Sequence, residues 1–365
     1  MATAKAAVYQ GVDAPFAIKE YEVAPPGRGT ALVKLLASGV CGTDIHIHRG
    51  KIAVAPPMII GHEFVGKVSE ISGADSEACG VKAGDDVIVS VASPCGKCKL
   101  CLSGDDANCV NMGVTYFDSP ENAPHFHGGF AEYTYSPVQN MIKIPGGLDP
   151  VMACVFACAS PTALHAFRLA AQANCGVEKA DVAVVQGLGP VGQFAVMYLA
   201  SLKIPRIFAL TAGDNAERER LALELGATDV LNIDRSPVED CTKTIRDANG
   251  GIGADVVFEA SGSRYAFPQG LAMLRNRGAY LVPGQYSNSG NAEIAPQAIT
   301  FNALHIVGSS QYSICDVEKY IEFLQGNAQL HGIIKRLYKT YRLEDINKAF
   351  DDAKSGGNIK TILVP

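Results

Sequence analysis

The stretch DVAVVQGLGPVGQFAVMYLA, residues 181–200, runs an unbroken apolar segment through a glycine-rich turn into a second apolar segment of helical composition. Gly187, Gly189 and Gly192 fit G-x-G-x-x-G directly after a buried strand and at the opening of a helix, and no other feature restricts the fold as much. The first glycine allows the tight turn, the second lets a pyrophosphate approach the backbone, and the third lets helix and sheet pack closely. Free N–H groups and the partial positive charge of the helix N-terminus face the phosphates. Pro190 and Val191, between the second and third glycines, complete this set of candidate cofactor contacts.

Strands and helices alternate around this junction. RIFALT, ADVVFEAS and GAYLVPG read as strands and AERERLALELG as a helix, which predicts a parallel, doubly wound sheet over residues 160–310. Residues 1–159 have another texture. AAVYQ, TALVKLLASGV, EFVGKVSEI, DDVIVSVAS and FAEYTYSP are short extended runs broken by Gly and Pro, as in a barrel-like β domain. Residues 311–365 open with the amphipathic DVEKYIEFLQG and end in the strand-like IKTILVP. A chain of 365 residues suits two domains.

The second strand of the sheet bears on the choice of nucleotide. A site specific for NAD usually carries an acid at that strand's tip, bonded to the ribose 2′-hydroxyl. Here Thr211 occupies the tip and the nearest acid, Asp214, follows three residues later. That absence permits a 2′-phosphate, which Arg218 or Arg220 could reach from the following helix; both also read as solvated helix residues. The cofactor is expected to be NADP or NAD, with a lean to NADP.

SPCGKCKLCLSGDDANC, residues 93–109, holds Cys95, Cys98, Cys101 and Cys109. Two-residue gaps let neighbouring thiolates converge on one tetrahedral ion, and a longer turn returns the fourth. Such a site has no open coordination position. It holds shape, and the chemistry must lie elsewhere. Disulfides are the alternative, but MATAKAAVYQ lacks the apolar core of a signal peptide and no apolar run approaches about 20 residues. The chain is therefore expected in the cytoplasm, where its 11 cysteines stay reduced. A net charge of −6 without a basic stripe argues against nucleic acid as a partner, and no membrane partner is expected.

Two further stretches suggest an open metal site. GVCGTDIH offers Cys41, Thr43, Asp44 and His46, and GHEFVG offers His62 and Glu63. A third ligand can come from ACVFACASPTALHAF, which contains Cys154 and Cys158. Cys158 precedes Ser160-Pro161, expected as N-cap and first helical residue, so it would sit at a helix start that favours thiolate. Cys154 reads better as a small buried residue.

With these motifs in hand, the chain resembles the zinc-containing medium-chain alcohol dehydrogenases over nearly its whole length. GVCGTDIH, GHEFVG, PCGKCKLC with its later cysteine, GLGPVG and IKTILVP occur in that family's order and at its separations. The resemblance implies an α/β fold: a GroES-like β-barrel catalytic domain with a structural-zinc lobe over residues 1–159, a Rossmann domain over 160–310, and a C-terminal return over 311–365, with the active cleft between the domains. It implies catalytic-zinc ligands at Cys41, His62 and Cys158, with Glu63 able to approach the metal, and a structural zinc on Cys95, Cys98, Cys101 and Cys109. Thr43 and His46 would relay the proton through the cofactor ribose, Asp44 would orient His62, and Lys360 joins the cofactor contacts. The implied reaction interconverts an alcohol and an aldehyde or ketone by hydride transfer with a nicotinamide cofactor, in a homo-oligomer, dimer or tetramer. Two rivals are a zinc-independent alkene reductase on the same fold and a non-enzymatic zinc- and nucleotide-binding redox sensor. The complete ligand set speaks against both. The stretch 113–129 is a candidate pocket segment, yet Tyr116, Phe117, His125 and His127 do not name a substrate.

Overall fold

The computed structural model describes residues 2–115, 118–285 and 288–365. It forms two compact units, one of Met1–Cys158 with Ser313–Pro365 and the other of Ala159–Tyr312.

In the first unit the strand Thr30–Val40 organises the main sheet. Glu63–Glu70 lies antiparallel along one side of it, while Tyr133–Pro137 and Lys360–Val364 share the other side. Asp86–Val89 and Met141–Lys143 extend the sheet beyond Glu63–Glu70, and Tyr338–Arg342 extends it, in parallel, beyond Lys360–Val364. Thr3–Val8 and Ala17–Glu22 make a separate antiparallel pair. Alternate apolar residues such as Val33, Leu35, Val87 and Val89 meet Phe64, Phe130 and Phe350 in the core, where burial of apolar surface drives folding. The expected run DDVIVSVAS is two strands, Asp86–Val89 and Ala92–Ser93, because the second part pairs with Gly113–Val114 instead.

Register carries the consequence for function. Gly39 stands opposite Glu63, and Thr361 stands opposite Val40. The end of one strand and the starts of two others therefore meet, which brings Cys41, His62, Glu63 and Lys360 together at one end of the sheet.

The second unit is a parallel sheet. Among the described residues its order is Asp229–Asn232, Arg206–Thr211, Val182–Gln186, Ala254–Glu259, Leu274–Val282 and His305–Gly308. In chain order that is 3-2-1-4-5-6, the dinucleotide-binding order in which ligands lie beyond the carboxyl ends of the strands. Val182, Val184, Phe208, Leu210, Val257 and Tyr280 contribute to its core, consistent with the unbroken apolar strands. The fifth strand starts before the expected GAYLVPG, because a bulge inserts Arg275–Gly278 between its first residue and the rest. Among the described residues no helix is long and apolar enough to cross a membrane.

Candidate active site

The thiol loop closes on itself. Cys98 precedes the short helix Lys99–Leu102 and caps it, its sulfur accepting from the Cys101 N–H. Gly96, directly after Cys95, takes a left-handed φ of 68° that glycine adopts without strain. The four sulfurs of Cys95, Cys98, Cys101 and Cys109 all lie within 4.8 Å of one another. Cys98 Sγ is 3.4 Å from Cys101 Sγ and 3.9 Å from Cys109 Sγ. A tetrahedral zinc with Zn–S bonds of about 2.3 Å needs sulfur–sulfur edges of about 3.8 Å, so the spacing fits the ion. Backbone N–H groups of Cys95 and Asn111 donate to Cys109 Sγ at 3.2 and 3.3 Å. The protein supplies sulfur-directed donors before any metal is added.

Charge points the same way. The Lys97 N–H, with that of Cys98, holds the Cys95 thiol down at about 6 against partial burial. Burial and the neighbouring sulfurs of Cys98 and Cys109 push Cys101 up to about 12. Four thiols at this spacing cannot all ionise unless a cation joins them.

The second cluster brings one ligand atom each from Cys41, His62, Glu63 and Cys158 within 4.8 Å of one another. The strand Thr30–Val40 delivers Cys41, which stands at the N-cap of the helix Gly42–His48. Asp44 is fully buried, and its carboxylate serves both Cys41 and His62. Its Oδ2 accepts from the Cys41 N–H at 2.9 Å, and its Oδ1 faces His62 Nδ1 at 3.3 Å. This turns Nε2 of the ring toward the cluster, the arrangement by which a carboxylate fixes the tautomer of a ligating histidine. The Cys158 thiol donates to Cys41 and, with His62, holds the Cys41 thiol well below its usual range despite burial. Burial pulls the His62 pKa down, but Asp44 and Cys41 together outweigh it and hold it well above the usual value. Metal ligands of these types bind deprotonated, so a divalent cation would compete with protons for this cluster.

Cys158 lies in the cluster, whereas Cys154 is wholly buried, donates to the Glu63 carbonyl at 3.4 Å, and has its thiol pushed up to about 12 by burial. The helix after it spans Ala159–Gln172, two residues earlier than expected. Ser160 and Pro161 are therefore inside its first turn, which tolerates proline because its first N–H groups have no intrahelical partner.

Thr43 is half-buried with Oγ1 3.8 Å from Cys41 Sγ. His46, on the same helix, keeps Nδ1 buried and, among the described residues, without a hydrogen-bond partner. Burial, then Lys51, pushes its pKa down, so the ring is neutral at neutral pH. Lys360 is buried with its ammonium on the Glu63 carboxylate, which gives it a partner other than the cofactor. No local sequence signal joins residues so far apart; only strand register does. His125 stacks on Tyr21 and bonds the Pro120 carbonyl at 2.8 Å, and burial pushes the His127 pKa down. Tyr116 and Phe117 lie outside the described residues.

At the glycine loop each glycine has a separate reason. Gly187 takes φ 93°. Gly189 is the N-cap of Pro190–Ser201, and a Cβ there would meet nothing within 4 Å, leaving the backbone approachable. A Cβ on Gly192 would lie 1.8 Å from the Gly187 oxygen. Pro190 opens the helix and Val191 follows it, both half-buried. Thr211 ends the second strand. Arg218 is half-buried, its N–H capped by Asn215 Oδ1 at 3.1 Å. Arg220 is committed to Glu217 and Glu224 on its own helix, as the solvated alternative for it implied. Arg235, in the loop after the third strand, pairs with Asp214 at 3.1 Å and with Glu219 at 2.9 Å, and sequence reading did not single it out.

Family comparisons agree with this geometry. The alcohol dehydrogenase GroES-like domain matches residues 27–146, and the zinc-binding dehydrogenase domain matches residues 190–326. The chain is 30% identical over 359 residues to an alcohol dehydrogenase of Geobacillus stearothermophilus, covering 96% of each. It is 29% identical over 353 residues to 5-exo-hydroxycamphor dehydrogenase of Pseudomonas putida, covering 94% of each. Among solved structures, an alcohol dehydrogenase from Thermotoga maritima matches with TM-score 0.89 over 100% of both chains at 27% identity. The class is thus an enzyme that interconverts an alcohol and an aldehyde or ketone with a nicotinamide cofactor. Within it, the chain belongs to the zinc-containing medium-chain alcohol dehydrogenase family.

Proposed function

We propose that Cys41, His62 and Cys158 hold a catalytic zinc, with Glu63 beside it, and that Cys95, Cys98, Cys101 and Cys109 hold a structural one, two ions per chain. The observation that carries this reading is the convergence of the first four side chains at one end of a sheet. When bound, zinc acts as a Lewis acid that makes the substrate hydroxyl acidic near neutral pH. Asp44 fixes the two ligands it touches. In this reading Thr43 would pass on the hydroxyl proton and His46 would receive it. A bound nicotinamide cofactor would take up the hydride of the alcohol, and Gly189, at the N-cap of Pro190–Ser201, would leave room for its pyrophosphate.

Cys41→Ser and His62→Ala test the site. Turnover should fall below detection, one zinc equivalent should be lost, and dinucleotide binding measured by fluorescence should persist. Wild-type turnover in either variant would sink the assignment.

The adenosine end supports NADP. Thr211 brings no carboxylate to the strand tip, and Arg235 supplies a half-exposed guanidinium nearby, whose pair with the exposed Asp214 is weak enough to yield to a phosphate. Against it stands Asp234, whose Oδ2 accepts from the Gly213 N–H at 2.6 Å. Thr211→Asp should swing kcat/KM toward NAD by roughly 10²-fold, the scale of a few kcal/mol of like-charge repulsion. Wild type strongly preferring NAD would show that Asp234 or Asp214 reads the ribose.

A further inference from the structure

The parallel-sheet unit has a second concavity at the end opposite its glycine loop. A cavity of about 250 Å³ is lined by loop residues including Asn174 and Lys179 and by Asp255, Arg275, Arg277 and His305. The last four stand at or near the starts of their strands. Gly187 follows the far end of Val182–Gln186, a strand of about 17 Å. The cavity is therefore separate from the dinucleotide site.

Its charges are unevenly spent. Asp255 is the one acid in the lining, and its carboxylate is fully used. Oδ1 accepts from Arg275 Nε at 2.5 Å, and Oδ2 accepts from the Asp181 and Val182 N–H groups at 2.9 Å each. Glu178 folds against Gly176 at the lining, where a Cβ would meet its Oε2 at 2.5 Å. Among the described residues, Lys179, Arg277 and His305 have no side-chain hydrogen bond or ion pair.

The backbone is shaped around one of these groups. Pairing steps from Ala254–Leu274 to Val256–Ala279, so the fifth strand bulges at 275–278. Arg277 sits in that bulge at φ 59°, a left-handed conformation that costs a side-chain-bearing residue energy, and its N–H is held by the Asn302 carbonyl at 2.7 Å. Bulges re-aim side chains, and held strain clusters at ligand clamps.

We propose that this cavity binds a small oxyanion of two or more negative charges, gripped by Arg277 and Lys179 with Arg275 as a further donor. A guanidinium fork matches phosphate and carboxylate oxygens in two-point contact. The lining has no Phe, Tyr or Trp to stack a nucleobase, and the volume lies below the usual range for drug-sized ligands, so the ligand is a small phosphate ester or polycarboxylate.

The test is calorimetric titration of the enzyme saturated with reduced dinucleotide, which keeps the probe off the glycine loop. Inorganic phosphate, pyrophosphate and citrate are the probes, at constant ionic strength. At least one should bind once per chain. Arg277→Gln should weaken it tenfold or more, Lys179→Gln severalfold, and Arg277→Lys less than Arg277→Gln. Phosphate or pyrophosphate without citrate assigns a phosphate ester, and citrate alone a polycarboxylate. Arg277→Gly accepts φ 59° without strain, so it should raise Tm while abolishing binding, a split that a merely structural arginine would not give. Failure of all three probes to bind, or binding unchanged in both Arg277→Gln and Lys179→Gln, overturns the proposal.

Discussion

Gly39 shows how much of the metal cluster depends on a missing atom. A Cβ there would fall 2.6 Å from Glu63 Oε2 and 2.9 Å from Lys360 Nζ, so only glycine leaves room for that ion pair. Both partners are almost wholly buried, and burial pushes the lysine down to about 8. Breaking a buried pair leaves a bare charge, whereas removing both partners together can be nearly neutral. Lys360→Met should therefore lose about 3–5 kcal/mol by denaturant unfolding, and Glu63→Gln/Lys360→Met should recover most of it. A double variant no more stable than the single one would mean that the two side chains do not compensate each other. At this scale the stretches that carry Cys41, His62 and the four loop cysteines stand out in the sequence as candidate metal-binding segments, because their residue types and spacing are local, and the structure brings these side chains into two clusters. Lys360 was legible only as part of a motif. Its partner lies across strand register, which the order of residues does not display.

The strand–turn–helix at Gly187–Gly192 was the most legible element, since each glycine answers a local steric need that recurs in sequence. Its glycines should nevertheless fail differently. Gly192→Ala drives a methyl into the Gly187 carbonyl and should cost about 3 kcal/mol or more. Gly189→Ala meets open space at φ −73°, so stability should change by no more than about 0.5 kcal/mol. Dinucleotide affinity in that variant should still fall at least about tenfold, or 1.4 kcal/mol, because the methyl occupies the approach to the backbone. Thermal melts and fluorescence titration separate the two effects. Equal loss of stability in both variants would refute the separate roles. Elements set by tertiary pairing were harder to read. The bulge at 275–278 and the division of DDVIVSVAS into two strands follow from partners elsewhere in the chain.

Across the whole molecule, both metal clusters lie in one compact unit and the glycine loop in the other, so metal, fold and nucleotide binding can be lost separately. The sulfur cluster is formed wholly within residues 95–109, with backbone N–H groups aimed at the Cys109 sulfur, and a bound ion there would have all four positions filled by protein. The other cluster draws on Cys41, His62, Glu63 and Cys158, where the carboxylate is already held by Lys360, and an ion there would keep a position for an exchangeable ligand. Exchange through an open position is the easier route for a chelator. Graded treatment with 1,10-phenanthroline should therefore remove one zinc equivalent first, with loss of turnover but little change in Tm and with dinucleotide binding retained. Cys98→Ser should do the reverse: it removes the other equivalent and lowers Tm, since structural zinc binding adds directly to folding free energy. A loss of only about 2 kcal/mol would lower Tm by about 4–8 °C in a unit of this size. Zinc content, turnover and melting measured on the same samples decide the matter. Simultaneous release of both ions under mild chelation, or a Cys98→Ser protein that melts like wild type with one zinc fewer, would show that the two clusters do not divide chemistry from structure.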